Sequence, residues 1–261
     1  MTAPVRYRSY SQLKLYLECP AQYRWKYVEK LPEQPSIWSA GGTAFHAVAE
    51  RIVRGEELDL DDAWDEAWQE AVTDLITRGA DPDLATWRAA KRGREDAPWW
   101  WRTGRRMVRD FQEWWTHQVD SGQLVALRDQ HGPILEREFL TEIGGVPVRA
   151  IPDALVVDEN GNVVVLDYKS GAREPEGSLQ LGVYAAAVEV ALGVKAHWGL
   201  YFMTRQVEAV PRALTAWTPE VIGEMFADFD TREKAGEYPA KPGPHCRFCP
   251  ARDLCPEKIP W

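Results

Sequence analysis

The heptapeptide Val163-Val164-Val165-Leu166-Asp167-Tyr168-Lys169 reads as a strand that is apolar on both faces and ends in an acid and a base two residues apart. A strand buried on both sides belongs near the centre of a sheet. Side chains alternate along it, so Asp167 and Lys169 share one face. The preceding run, Ala150-Ile151-Pro152-Asp153-Ala154-Leu155-Val156-Val157, is apolar apart from Asp153. A two-residue Asn-Gly loop would set Asp153 opposite Tyr168 and send the two acids to opposite faces. A three-residue loop, Glu159-Asn160-Gly161 with Gly161 as a left-handed bulge residue, pairs Asp153 with Asp167 instead. The chemistry selects that second register.

Across the Gly144-Gly145 hairpin, pairing Ile143 with Val146 sets Glu136 opposite Asp153, with Glu138 on the same face. Carboxylates converging beside one lysine repel unless a cation sits among them. Hard oxygen ligands favour Mg²⁺ or Mn²⁺, and such a site hydrolyses phosphodiesters: the metal polarises the phosphate and supplies hydroxide, while a lysine positions the nucleophile or screens charge. Asp-Tyr-Lys alone is a weak signal, and the plainer reading makes these acids strand-end or turn residues.

Upstream of Gly122 the apolar period is helical. Ser11 can cap a short helix that Pro20 interrupts, and Pro20 can start the next at its first position. A further helix should open after Gly41-Gly42-Thr43 and close at Gly55. Trp64, Trp68, Val72, Leu75 and Ile76 recur at helical spacing between Asp61 and Gly79, as do Trp101, Val108, Phe111, Trp115 and Val119 between Pro98 and Gly122. Downstream, strands are predicted at 124–129, 133–143, 146–157 and 162–169, a helix at 177–192, a hairpin at 197–214, and a helix from Thr218-Pro219 to Gly236. The expected architecture is one α/β domain over 1–261: a helical lobe (1–122), an α/β core (123–235) and a cysteine-bearing tail (236–261).

Composition is ordinary for a globular chain of 261 residues, 45% hydrophobic and 27% charged, which excludes collagen-like, coiled-coil and disordered classes. No stretch nears the ~18 apolar residues of a membrane span, and MTAPVRYRSY lacks a signal-peptide core. A cytoplasmic protein with no membrane partner is expected. The net charge of −9 alone disfavours nucleic acid, but the sum hides segregation. Residues 1–30 carry six basic side chains against two acidic, interleaved with Tyr7, Tyr10, Tyr16, Tyr23, Trp25 and Tyr27. Residues 87–109 carry eight basic side chains, Arg92 among them, against two acidic, with Trp87, Trp99, Trp100 and Trp101. Between Glu56 and Asp83 eleven carboxylates and one arginine suggest a solvated helix face. Basic patches with aromatics suit backbone contact and base stacking on a single strand; the same pattern equally describes helix exteriors over a tryptophan core.

Cys19 stands near the start, and Cys246, Cys249 and Cys255 form a C-x₂-C-x₅-C cluster. In a cytosolic chain this spacing reads as metal ligation in preference to disulfides. Four thiolates fit zinc or an iron–sulfur cluster. Proline after Cys19, Cys249 and Cys255 favours [4Fe–4S] over zinc. Ligation by Cys19 and the tail would staple the two chain ends around the body between them.

In order, Ser9-Tyr10-Ser11 leading to Cys19-Pro20, Gly42-Thr43-Ala44-Phe45-His46, the Asp153 strand, Asp167-Tyr168-Lys169-Ser170-Gly171, Gln180 with Tyr184, and the terminal cysteines resemble the RecB-type branch of the PD-(D/E)XK nucleases. The likeness extends over nearly the whole chain and is closest to the iron–sulfur members: CRISPR-associated RecB-like exonucleases, their phage-encoded relatives and the nuclease domain of AddB. It implies a restriction-endonuclease-like fold, a mixed central sheet flanked by helices. It further implies that His46, Asp153, Asp167 and Tyr168 belong to the metal site and that Lys169 is the catalytic lysine. Gln180 and Tyr184, one helical turn apart on one face, would support the site and contact DNA. Glu136 or Glu138 would supply a further acid. The second acid is Asp where the family pattern most often has Glu. Cys19, Cys246, Cys249 and Cys255 would hold a structural [4Fe–4S] cluster.

No G-x-x-x-x-G-K-[ST] motif is present, so the chain is not itself an ATP-driven helicase. Unwinding would come from a helicase, recombination or CRISPR-adaptation partner, or the substrate is already single-stranded or at an end. The expected function is a metal-dependent DNA exonuclease preferring single-stranded ends. The alternative is a non-catalytic adaptor that hands DNA over within a larger complex, which the intact His-Asp-Asp-Lys set disfavours.

Overall fold

The computed structural model describes residues 5–258, apart from the side chains of Arg92 and Phe248. The ends of the expected basic N-terminal segment (1–4) and of the tail (259–261) lie outside the described residues, as does the Arg92 side chain of the second basic segment. The chain begins with α1 (Tyr10–Glu18), α2 (Pro20–Tyr23) and a π-helical turn (Arg24–Val28). Next come α3 (Ile37–Arg54), α4 (Leu60–Thr77), a 3-10 turn (Leu84–Thr86), α5 (Ala90–Gly93) and α6 (Ala97–Asp120). The strands follow: β1 (Leu124–Ala126), β2 (Arg128–Asp129), β3 (Gly132–Pro133), β4 (Phe139–Ile143), β5 (Val146–Ala150), β6 (Ala154–Asp158) and β7 (Val163–Lys169). After them lie α7 (Leu179–Leu192), β8 (Trp198–Met203), β9 (Glu208–Ala213), α8 (Pro219–Lys234) and a 3-10 turn (Pro244–Phe248).

Five strands form the central sheet in the order β1-β6-β7-β8-β9, with β7 in the middle. The sheet is mixed: β7 and β8 run parallel, joined through α7, and the other pairs are antiparallel. Ala154 pairs with Leu166 and Val157 with Val163, so the next position outward sets Asp153 opposite Asp167. Gly161 adopts φ +81°, the left-handed conformation that the longer loop requires. The Gly144-Gly145 hairpin likewise pairs Ile143 with Val146, but β4 and β5 form a separate two-stranded ladder.

That separation corrects the long strands predicted at 133–143 and 146–157. Pro152 has no N–H to give a ladder and fixes its own φ, and the chain bends over 151–153 before β6 begins. On the facing segment Glu136 sits at φ +44°, and its N–H donates to the Asp153 carbonyl at 2.9 Å. The break turns Glu136 and Asp153 into corner residues. The segment predicted at 124–129 is also split, into β1 and β2.

Two helix starts differ from expectation. Ser9, not Ser11, caps α1: its hydroxyl accepts from Gln12 N–H at 3.4 Å while Gln12 Oε1 accepts from Ser9 N–H at 3.1 Å, a reciprocal capping box. Helix α3 starts at Ile37, so Gly41-Gly42-Thr43 lies within it. Gly41 is demanded by packing and not by a turn: a Cβ there would stand 2.1 Å from Trp100 Cε3.

The sheet is covered on both sides. Val164, Leu166 and Tyr168 face a core built with Phe45, Trp64, Trp100 and Phe111 of α3, α4 and α6. Val165 faces the second core, with Leu13, Val183, Phe226 and Phe229 of α1, α7 and α8. Five of the ten aromatics of the two basic segments are interior: Tyr23 and Trp100 are fully buried, and Tyr16, Trp25 and Trp87 nearly so, whereas Trp101 is exposed. Several basic partners are used internally as well. Arg105 pairs with Asp65 and Arg109 with Asp61, neutralising α6 against the acidic α4. Arg8 is buried against Asp230 and Glu233.

Candidate active site

Helix α3 carries His46 to the corner between hairpin and sheet. Its Nδ1 lies 3.2 Å from Glu136 Oε1 and 3.3 Å from Asp153 Oδ1. Among the described residues, His46, Glu136 and Asp153 form a group whose ligand atoms all lie within 4.8 Å of one another. Asp153 is 5% exposed, and its Oδ2 accepts from the Tyr168 N–H at 2.5 Å. One oxygen is thus anchored by the central strand while the other faces His46. Burial opposes protonation of His46, yet Asp153 and then Glu136 outweigh it and hold the imidazole well above its ordinary value. The same carboxylates that favour a positive imidazole would favour a cation bridging these groups.

Next to this group lies a second one. Asp167 is 1% exposed, and Lys169 Nζ is 2.5 Å from its Oδ2. Neither Asp167 oxygen accepts a well-formed hydrogen bond among the described residues. Burial, followed by the charge of Asp153, pushes the Asp167 carboxyl up to about 7 against the pull of Lys169. Lys169 Nζ donates to Gln180 Oε1 at 2.8 Å, and Gln180 Nε2 donates to the Tyr184 hydroxyl at 3.0 Å. The one-turn spacing of Gln180 and Tyr184 on α7 aims both at the strand end.

Tyr168 contributes to the corner through its backbone. Its ring alternates to the helical side, edge-on to Phe111 at 5.0 Å and to His46 at 5.6 Å. Its buried hydroxyl has no hydrogen-bond partner among the described residues. Of the two candidate glutamates, Glu136 reaches His46, whereas Glu138 pairs with Arg149 on the exposed hairpin.

Two features escaped the sequence. Glu50, four residues after His46 on α3, lines the same groove of about 420 Å³ with Gly42, Thr43 and Glu136; the i, i+4 spacing was the available signal. Arg205 leaves no local pattern at all. Its Nε donates to the Ser170 carbonyl at 2.7 Å and its Nη1 to Glu95 at 2.8 Å, and its guanidinium lies 4.8 Å and 5.1 Å from the Trp99 and Trp100 rings. It ties the segment just after Lys169 to the helical lobe.

Cys19, Cys246, Cys249 and Cys255 line one pocket. Cys19 and Cys246 are buried. Cys19 Sγ accepts from Lys241 N–H at 3.5 Å and Cys246 Sγ from Gly243 N–H at 3.4 Å. Burial pushes the Cys249 thiol up, and the three other cysteines add to the effect.

The family model of the PD-(D/E)XK nuclease superfamily matches residues 7–256. The chain belongs to the PD-(D/E)XK nuclease superfamily. It is 33% identical to the Gene 69 protein of Mycobacterium phage L5, over 95% of this chain and 96% of that one. It is 34% identical to the Gene 69 protein of Mycobacterium phage D29, again over 95% and 96%. A solved structure, "Crystal structure of SSO0001", overlaps with a TM-score of 0.41 at 11% identity, covering 100% of this chain and 90% of that one. As a PD-(D/E)XK nuclease the chain is a metal-dependent nuclease, with a mixed sheet and a His-Glu-Asp group able to take a divalent cation. Among the described residues no helix is long and apolar enough to cross a membrane.

Proposed function

We propose that this PD-(D/E)XK protein is a DNA exonuclease acting on single-stranded ends, with Mg²⁺ or Mn²⁺ at the acid corner and a structural [4Fe–4S] cluster on its four cysteines. The observation that carries the catalytic part is the juxtaposition of Asp153 and Asp167 across the β6–β7 ladder, with His46 and Glu136 on one side and Lys169 on the other. The donor set fits a hard divalent cation: carboxylate oxygens and one imidazole nitrogen, crowded so closely that the carboxylates hold the His46 imidazole well above its ordinary pKa. His46, Glu136, Asp153 and Asp167 would hold the cation, which when bound supplies Lewis-acid activation of the phosphodiester and of the attacking water.

The chain's own residues do the rest. Gln180 fixes the Lys169 ammonium, which screens the negative charge that grows on the phosphate as the bond breaks. Tyr168 N–H and the β7 backbone hold Asp153 in place so that no reorganisation is needed at the moment of reaction. The Arg205 bond to Ser170 fixes the strand end that presents Lys169.

For the cysteines, the shared pocket and the N–H donors to Cys19 and Cys246 suit thiolates. The prolines that follow Cys19, Cys249 and Cys255 favour a [4Fe–4S] cluster over zinc.

The test is degradation of end-labelled single-stranded DNA with Mn²⁺ against an EDTA control, alongside a circular single strand. Release of short products from linear DNA alone supports the reading. Cleavage of the circle would make the enzyme an endonuclease, and absence of any metal-dependent cleavage would remove the catalytic assignment.

A further inference from the structure

A second groove, besides the one at His46, meets the catalytic group at Gln180. About 340 Å³ in volume, it is lined among others by Tyr10, Lys14, Lys26, Tyr27 and that glutamine. We propose that this groove receives the single-stranded DNA next to the scissile bond, with a phosphate held by Lys14 and the Tyr10 hydroxyl and a base against Tyr27. The proposal rests on the nuclease reading for its substrate class.

A shared side chain joins the groove to the chemistry. Gln180 accepts from Lys169 Nζ at 2.8 Å and donates to the Tyr184 hydroxyl at 3.0 Å, so the amide that positions the lysine is also groove wall. Tyr10 stands close enough to Asp167 to feel its charge: burial first, then that carboxylate, pushes the phenol up to about 12. The hydroxyl therefore stays a hydrogen-bond donor, and it has no hydrogen-bond partner among the described residues. Lys14 lies one turn further along α1 on the same face. It is exposed, and among the described residues no ion pair or hydrogen bond engages its ammonium. A phenol and an ammonium side by side, both unengaged, suit the oxygens of a phosphate.

The walls are set in advance. Arg8 N–H donates to the Pro147 carbonyl at 2.8 Å and Arg149 N–H to the Arg8 carbonyl at 2.7 Å, which fixes the entry to α1 against the hairpin. A further wall is the π-helical turn Arg24–Val28, in which Glu29 N–H donates to the Arg24 carbonyl at 2.9 Å. Lys30, just after it, sits at φ +54°, in the left-handed region. An extra residue in a helical turn re-aims the side chains around it, and such turns recur at functional sites. Here Lys26 and Tyr27 reach the groove, while Trp25 is buried in the cluster that includes Cys19. The Tyr27 ring is backed by the fully buried Tyr23 ring, with centroids 5.1 Å apart. Lys26 is already paired with Glu33, so the phosphate falls to Lys14. The groove's acid, Glu18, lies at the far end of α1, 3.6 Å from His245 Nδ1. Tyr10, Lys14 and Glu18 recur every four residues, so the groove follows α1 for about 12 Å from the catalytic group toward the cysteines.

The experiment is anisotropy of a labelled single-stranded oligonucleotide in EDTA, where binding is read without cleavage. Lys14→Glu should raise Kd by about tenfold or more and flatten the dependence of log K on log salt by about 0.7 for the phosphate that is no longer neutralised. Tyr10→Phe, which removes one donor, should raise Kd by about threefold to tenfold. Tyr27→Ala should raise it by about fivefold to a hundredfold, and Tyr27→Phe should recover most of that loss. Circular dichroism confirms that each variant is folded. Wild-type Kd in any of folded Lys14→Glu, Tyr10→Phe or Tyr27→Ala overturns the proposal, as does a Tyr27→Phe variant as weak as Tyr27→Ala. The nuclease reading fails separately: wild-type protein whose binding depends on Lys14 but which never cleaves with Mn²⁺ keeps the groove and loses the enzyme.

Discussion

Lys169 donates to Gln180 across 2.8 Å, and that bond keeps the ammonium beside a carboxylate buried to 1% exposure. Without it, a lysine on a four-carbon stem would sample many positions around Asp167. The pair makes two distinguishable variants. Lys169→Ala should lower kcat by about 10²–10³-fold, the cost of losing a preorganised charge at the transition state. Gln180→Ala should lower it by up to about 10²-fold through misplacement, with little change in divalent-metal affinity. Single-turnover cleavage measured beside metal titration checks both; a Gln180→Ala enzyme with wild-type kcat would show that Lys169 is held by something else.

Protons and metal should compete at the corner. With Asp167 raised to about 7 by burial and by Asp153, and His46 raised by its carboxylate neighbours, binding a divalent cation must expel protons near neutrality. Affinity should therefore strengthen with pH, by about tenfold per unit for each proton displaced below about pH 7. Titration calorimetry in buffers of different ionisation enthalpy reads the released protons directly, and zero release at pH 6.5 would refute the coupling.

The same shifts set how the metal-free fold responds to pH. An acid whose folded pKa is raised stabilises most below its unfolded value near 3.8 and loses that stabilisation as pH climbs through about 7. Asp167→Asn imitates the neutral acid. In EDTA its Tm advantage over wild type should grow from pH 5 to pH 8, measured by circular dichroism, and a constant difference over that window would count against a buried, strained carboxylate.

The proposed four-cysteine cluster predicts that Cys19→Ser loses iron and lowers Tm by about 10 °C or more, since each ~1 kcal/mol moves the midpoint by ~2–4 °C in a domain of this size and ligand binding is coupled to folding. Iron analysis and a thermal melt on anaerobically purified protein decide it. Full iron content with an unshifted melt would release Cys19 from the set.

Gly104 lies on α6 where a Cβ would stand 1.8 Å from Trp64 Cζ2, an atom of a fully buried ring. Gly104→Ala should cost about 1–3 kcal/mol or more, because the ring has no space into which to retreat. Urea denaturation gives the number, and a neutral substitution would mean that α4 and α6 slide past each other with unusual ease.

Much of this arrangement was legible in the chain. The two-faced apolar run 163–169 marked the central strand; the loop around Glu159-Asn160-Gly161 allowed two registers, and the need to bring the acids together chose the one that sets Asp153 opposite Asp167. Most of what stayed hidden depends on residues far away in sequence. Gly41-Gly42 reads as a turn because the ring that needs the space, Trp100, is 59 positions away from Gly41. Pro152 was visible, but its effect, turning a hairpin off the sheet and forming the acid corner, depends on a packing partner from another element. Arg205 is one arginine among many until Glu95, Trp99 and Ser170 are brought around it.

The internal anchors of the N-terminal stretch lie at the far side of the sequence. Arg8 bonds Asp230 and Glu233 across 222 and 225 positions, and Cys19 shares its pocket with residues of the tail. Closing a longer loop costs only logarithmically more entropy, so such a clasp tolerates wide variation in the surface connections it spans while tolerating little at the clasp itself. The two ends are thus secured to each other and not merely to their neighbours in sequence, so a change at Arg8 or at a cysteine loosens both ends of the chain at once.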